Sequence, residues 1–184
     1  ELGLDNQTLL GVTVARFAEQ KNHLGLVKAL AILHEKGALN NFHYLLVGSN
    51  SDRAIFQRVT EEIKTWGLEK KITYLGIRSD IPEILQMCDF MVLPSHFEGF
   101  PNVLMEAMAT KTFVIATPTG GTPELIEDGI TGFLTKSDDS RDIAFSIEEF
   151  LGTRNSQRES ITRGAYRSIQ KYSTSRIFEI MEGI

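Results

Sequence analysis

The chain has 184 residues, enough for one domain or one domain with a small appendage. Its 42 % hydrophobic and 23 % charged residues, with 15 Gly and 5 Pro, lie near the globular average and exclude a disordered, collagenous or coiled-coil chain. A single cysteine, Cys88, excludes an intrachain disulfide and a thiolate metal cluster, and a net charge of −5 lacks the basic surplus by which a nucleic-acid binder is recognised.

Short apolar runs alternate with longer helical patterns. Leu9–Val14 reads as a buried strand, and Leu24–His34, with apolar spacings of three and four, as a helix. Tyr44–Val47 is a second strand, ended by Gly48. Ile55–Trp66 is an amphipathic helix with Gly67 as its stop. Ile72–Leu75 is a third strand. Ile81–Met87 is a short helix with a Ser79-Asp80 cap signal and Pro82 in its first turn. Phe90–Leu93 is a fourth strand, stopped by Pro94. Val103–Ala109 is a helix, Phe113–Ala116 a fifth strand, Pro123–Ile126 a short helix and Gly132–Leu134 a sixth strand. From Asp139 onward the pattern is helical, with Gly152–Ser156 as the nearest thing to a linker. Strands apolar throughout, alternating with helices, predict a doubly wound α/β fold: a parallel sheet of about six strands covered on both faces. No apolar stretch approaches the 18 residues or so of a membrane span.

The charge is uneven. Arg154, Arg158, Arg163, Arg167, Lys171 and Arg176 face only one acid, Glu159, between residues 154 and 176. Arg163, Arg167 and Lys171 share one helix face, opposite Ile161, Ala165, Ile169 and Tyr172. The pattern reads as a core-facing helix with a solvated basic side, or as a docking face for anionic lipid or an acidic partner domain.

In an open parallel sheet, ligands bind beyond the carboxyl ends of the strands. The loop after the fourth strand contains Glu98-Gly99-Phe100-Pro101-Asn102-Val103-Leu104-Met105-Glu106. Gly99 and Pro101 predict a tight turn into a helix. The first amides of that helix, from Asn102, Val103 and Leu104, lack intrahelical partners and with the helix dipole form an anion site. Glu106 lies one turn further in, where its carboxylate can accept from a diol, and Glu98 faces the mouth. Anion, diol and a further polar group match a nucleoside diphosphate carrying a sugar. Read singly, each glutamate is equally an ordinary surface acid. Arg16 and Lys21, in the loop after the first strand, lie over the same crevice. There fixed cations can stabilise a departing diphosphate, although alone they too read as surface residues. Gly120-Gly121-Thr122-Pro123-Glu124 is a second helix start, in which Thr122 caps and the glycines admit a sugar or phosphate. GxGxxG, GxxxxGK[ST], Asp-x-Asp, GxSxG and metal-spaced His or Cys pairs are absent. His96 reads as a loop residue beside the pocket.

Together these blocks resemble the carboxyl-terminal half of retaining GT-B glycosyltransferases of glycosyltransferase family 4. The resemblance runs from Val14–Asn22 through Leu46-Val47-Gly48, Tyr74-Leu75-Gly76 and Leu93–Ala109 to Gly120–Gly129 and Thr131–Leu134, nearly the whole chain. It implies that Arg16 and Lys21 hold the donor diphosphate, that Glu106 holds the ribose and that the Asn102, Val103 and Leu104 amides hold phosphate. It also implies that Glu98 stands beside the donor sugar and that the backbone near Ile77 and Arg78 meets the base. The implied reaction is sugar transfer with retention, from a nucleotide-diphosphate sugar to a glycan, lipid or similar acceptor, with no metal and no other cofactor. The implied setting is polysaccharide or lipopolysaccharide biosynthesis, cytoplasmic, with peripheral membrane contact by the full-length enzyme.

Two positions depart from the family pattern. Lys111 and Phe113 stand where Gly and Pro are usual, which predicts altered turn geometry. Gly48-Ser49-Asn50-Ser51 lacks a second glycine, which Asn50 can replace through a positive φ. The competing readings are a nucleotide-sugar binding module without turnover and a sugar-nucleotide epimerase of GT-B architecture. The chain is expected to be one donor-binding domain over 1–184, with 154–184 a helical tail. The expected cut lies just after an interdomain linker near Glu1–Asp5, so that the amino-terminal acceptor domain is a separate, missing partner. Such a piece folds and binds donor but does not transfer sugar.

Overall fold

The computed structural model describes Gly3, Asp5 and residues 7–170. Six strands form one parallel sheet in the order β3-β2-β1-β4-β5-β6. They are β1 Leu9–Val14, β2 Phe42–Val47, β3 Ile72–Gly76, β4 Phe90–Leu93, β5 Phe113–Ala116 and β6 Phe133–Leu134. The β2, β4 and β5 side chains are buried along their whole length, which is why their sequences show no polar alternation.

The helices are α1 His23–Glu35, α2 Arg53–Thr65, α3 Ile81–Met87, α4 Asn102–Ala109, α5 Thr122–Leu125, α6 Ser140–Gly152 and α7 Asn155–Ile169. One face of the sheet is covered by α1, α2 and α6, with Leu26, Leu30, Leu33, Val59, Ile147 and Phe150 against Tyr44, Phe90 and Phe113. The other is covered by α3, α4, α5 and α7, with Leu85, Leu104, Met108, Leu125 and Ala165 against Val12, Met91 and Val114. This is the doubly wound Rossmann-like fold that the alternating pattern predicts.

Several local expectations change. The carboxy-terminal helical pattern is two helices, broken at Thr153-Arg154, where Arg158 Nη2 donates to the Phe150 and Leu151 carbonyls at 2.7 and 3.1 Å. Ile161, Ala165 and Ile169 are buried, and Arg163 and Arg167 are exposed, as the face pattern requires; Lys171, Tyr172 and Arg176 lie outside the described residues. A single 3₁₀ turn, Glu19–Lys21, precedes α1. Asp80 is the N-cap residue of α3, but its side chain makes no cap bond, because Arg78 holds both its carboxylate oxygens, at 2.7 and 2.5 Å. Asn50 does not take a positive φ; Gly48 does, and any side chain there would strike the Ala15 carbonyl. Lys111 adopts φ 60°, and around it the Lys111 and Thr112 amides donate to Met108 and Ala107. That closure is the Schellman end that Gly37 and Gly67 give α1 and α2, so the turn geometry is kept and the lysine carries the strain. Phe113 simply opens β5 in the core.

Candidate active site

The strand order places β1 next to β4, with β2 and β3 on one side and β5 and β6 on the other. That reversal opens a crevice at the carboxyl ends of β1 and β4. The two loops bordering it are the ones carrying Arg16–Asn22 and Ser95–Asn102.

Across this crevice Lys21 Nζ donates to Glu98 Oε1 at 2.6 Å. Both side chains are largely covered, Glu98 at 7 % exposure and Lys21 at 17 %. The same oxygen accepts from Ser95 Oγ at 2.5 Å, and Ser95 is fully buried. The backbone beneath is bolted in place. His96 N donates to the Gln20 carbonyl and Gln20 Nε2 to the Phe97 carbonyl, each at 2.9 Å. Asn22, left-handed at φ 50°, caps α1 by accepting from Gly25 N. Its Nδ2 donates to the Pro94 and Asp138 carbonyls, both at 3.0 Å. Asp138 in turn pairs with His96 Nδ1 at 2.7 Å, which makes His96 a partnered rim residue. Three loops thus close around one ion pair.

Arg16 is exposed, and its guanidinium has no partner among the described residues. Glu106 is half-buried on α4; burial pushes its carboxyl above the usual carboxylate range, and no described side chain or amide donates to it. Pro101 is the N-cap of α4 and offers no side-chain cap. The Asn102 and Val103 amides have no protein acceptor among the described residues. The Leu104 amide does: it donates to the Pro101 carbonyl at 3.1 Å, so the expected trio of free amides is a pair. The cause is a tight first turn, which takes up the third donor.

The glycines of the β5 loop let a neighbouring stretch of backbone come close. A side chain on Gly120, at φ 54°, would overlap the Glu98 carbonyl, and one on Gly121 would meet Phe100 and the Gly99 carbonyl. Gly121 N donates to Gly99 O at 2.7 Å. The space they leave is filled by the Glu98–Phe100 backbone, which this contact holds at the crevice. Thr122 is the first residue of α5 and not its cap; its hydroxyl is buried without a partner. Ile77, after β3, is 76 % exposed at the same end of the sheet. Behind the rim, His23 stacks on Phe17 at 4.2 Å, and burial together with Lys21 lowers its pKa to about 4. Among the described residues no group of three His, Cys, Asp or Glu is placed to hold a metal ion.

Ser95 and Asn22 are the site residues that sequence reasoning missed. Asn22 carried a signal, since it directly precedes a helix. Ser95 carried none, because its bond to Glu98 depends on the turn between them.

The family model described as "Glycosyl transferases group 1" matches residues 1–168. The chain belongs to this family. Among curated relatives, N-acetyl-alpha-D-glucosaminyl L-malate synthase of Bacillus anthracis is 29 % identical over the whole chain and 47 % of its own length. The Anabaena Alr3699/HepE structure in complex with UDP-glucose superposes with a TM-score of 0.84 at 27 % identity, covering 96 % of this chain and 48 % of that one. The C-terminal domain of the group 1 protein LpcC from Francisella tularensis superposes with a TM-score of 0.78 at 26 % identity, covering 91 % and 87 %. This group 1 glycosyl transferase chain therefore spans about half the length of the curated relatives it matches. Among the described residues no helix is long and apolar enough to cross a membrane.

Proposed function

We propose that the chain is the carboxyl-terminal, donor-binding half of a retaining glycosyltransferase of family 4, working on a nucleotide-diphosphate sugar. The observation that carries this reading is Glu106: a half-buried carboxylate one helical turn beyond two amides, with no donor to the carboxylate and no acceptor for the amides among the described residues. Partial burial disfavours its charged form, and a ribose diol offers two donors that would stabilise it. Arg16 and the Asn102 and Val103 amides are likewise open to a diphosphate, and Lys21 reaches it from the pair with Glu98. Ile77 and the backbone at Arg78 border the base, and Phe100 with Gly120 and Gly121 keeps the Glu98 loop against the sugar.

In this reading the bond from the anomeric carbon to the diphosphate breaks with its electron pair passing to the phosphate oxygen. Arg16, Lys21 and the α4 amides stabilise that charge where water is excluded, with no metal or other cofactor. Glu98 holds sugar hydroxyls. The acceptor hydroxyl adds to the same face of the oxocarbenium-like centre and passes its proton to the departing phosphate, so configuration is retained. The acceptor, a glycan or lipid, is held by the other half of the enzyme, which the length of the relatives supports. Residues 1–184 alone bind donor and do not transfer it, and the intact enzyme works in the cytoplasm, at the membrane face where its acceptor requires it.

A thermal-shift panel of UDP-, GDP- and ADP-sugars on residues 1–184 tests this. The matching donor at a hundred times its Kd adds about 2.7 kcal/mol of stability, a shift of several degrees. A flat panel removes the donor-binding assignment.

A further inference from the structure

Glu98 Oε1 takes two donors of different character. Lys21 reaches it on a flexible four-carbon stem from the other side of the crevice, at 2.6 Å and with its side chain 17 % exposed. Ser95 reaches it at 2.5 Å from a fully buried position on the same loop. Ser95 cannot follow a moving partner. Its carbonyl accepts from Thr117 Oγ1 at 2.6 Å, the preceding Pro94 carbonyl accepts from Asn22 Nδ2, and the following His96 amide is bound to Gln20. Lys21 is built to change partners and Ser95 is not.

If Lys21 serves the diphosphate, its ammonium must turn from the carboxylate toward the phosphate, and among the described residues Ser95 is then the donor that Glu98 keeps. We infer that Ser95 is a positioning residue for the transfer reaction: it holds Glu98 Oε1 while Lys21 exchanges carboxylate for phosphate, and so presents Oε2 to the donor sugar. This rests on the donor-binding reading above. Ser95 acts through Glu98 and touches neither nucleotide nor sugar. Its loss therefore weakens the hold on the sugar and spares the hold on the nucleoside diphosphate.

Titration calorimetry on residues 1–184 separates these effects, using UDP with UDP-glucose, GDP with GDP-mannose and ADP with ADP-glucose as matched probes. For the pair that binds, Ser95→Ala is expected to weaken the nucleotide sugar about tenfold, the scale of one hydrogen bond to a charged group, and to leave the free diphosphate unchanged. Glu98→Ala is expected to show the same selective loss, and Ser95→Ala on a Glu98→Ala background no further loss. Equal weakening of both ligands, no weakening, or an additive loss in the double variant overturns the role of Ser95. A Glu98→Ala variant without selective loss overturns the reading of Glu98 instead, and with it the inference, and failure of every probe on the unmodified chain overturns donor binding itself. The melting temperature of each variant is measured alongside. Should Ser95→Ala not fold, Ser95→Cys, which keeps the volume with a much weaker donor, is expected to show the same selective loss.

Discussion

The two ends of the sheet use charge in opposite ways. At the amino ends of the strands, charged side chains close the backbone. Asp89 accepts from the Leu10 amide at 2.7 Å, Lys71 donates to the Leu39 and Asn40 carbonyls, and Arg158 donates to Phe150 and Leu151 while its guanidinium lies 4.0 Å from the Phe150 ring. At the carboxyl ends, Lys21 and Glu98 address each other across the crevice, and the Arg16 and Glu106 side chains have no hydrogen-bond partner among the described residues. The first end spends its charges on satisfying carbonyls and amides that the fold would otherwise leave open. The second keeps part of its hydrogen-bonding capacity open, which a stable fold does not require and a polar ligand does.

The largest effect is expected at His23, which is buried against Phe17 behind the carboxyl ends of the strands. Its pKa of about 4 lies below the ordinary 6.5, so the unfolded chain takes up the proton first. The stability that neutral His23 contributes is complete above about pH 6.5 and is lost as pH falls toward 4, amounting to about 3 kcal/mol. Urea unfolding at pH 7 and pH 4 is expected to show a difference smaller by about that amount in His23→Phe, which keeps a ring against Phe17. An unchanged difference would mean that the acid sensitivity lies elsewhere.

Next come two substitutions with crossed readouts. Arg158→Met at the amino end is expected to cost about 2 kcal/mol of stability, since two carbonyls lose a charged donor, and to leave donor affinity alone. Glu106→Gln at the carboxyl end is expected to weaken the nucleotide sugar about tenfold, roughly 1.4 kcal/mol, with no loss of stability because a carboxylate that burial disfavours has been neutralised. Chemical denaturation and calorimetry on both variants decide the matter. A binding loss in Arg158→Met or a stability loss in Glu106→Gln breaks the division between the two ends.

The smallest effect concerns Lys111, which makes a turn that Gly37 and Gly67 make elsewhere at the same end. Lys111→Gly relieves left-handed strain but loses the contact of Nζ with the Tyr166 ring at 5.2 Å and loosens the unfolded chain. A net gain of about 0.5 kcal/mol is expected. Gly67→Ala, which meets no neighbour but keeps φ 64°, is expected to cost about 1 kcal/mol. If the two substitutions move the denaturation midpoint in the same direction, the strain assigned to Lys111 is absent.

Much of the fold could be read in advance because it rests on local chemistry. Phe90–Leu93 and Phe113–Ala116 are apolar without alternation because they are buried on both faces, and Gly67 ends α2 because few other residues accept its φ. The errors are equally local in origin. Asp80 was available to two partners within hydrogen-bond reach, the α3 amides and Arg78, and spacing alone did not rank them. The Leu104 amide looked open because spacing does not reveal how tightly a first turn winds. That the Glu98–Phe100 backbone packs against Gly120-Gly121 is likewise beyond what spacing shows, because the two segments meet only when the loops after β4 and β5 are packed together.

By itself the sequence determined the doubly wound α/β class, the ends of most elements and the residue types gathered in the loops that follow β1 and β4. These follow from apolar periodicity, from backbone restrictions at glycine and proline, and from the need of helix ends for partners, all of which act within a few residues. The tertiary structure alone decided the strand order that brings Lys21 to Glu98, the fixing of Glu98 by Ser95 and the fastening of three loops by Asn22. Each of these is a relation between groups up to 116 residues apart, as in the bond from Asn22 to the Asp138 carbonyl, and a chain acquires such relations only when its sheet closes and its loops are packed together.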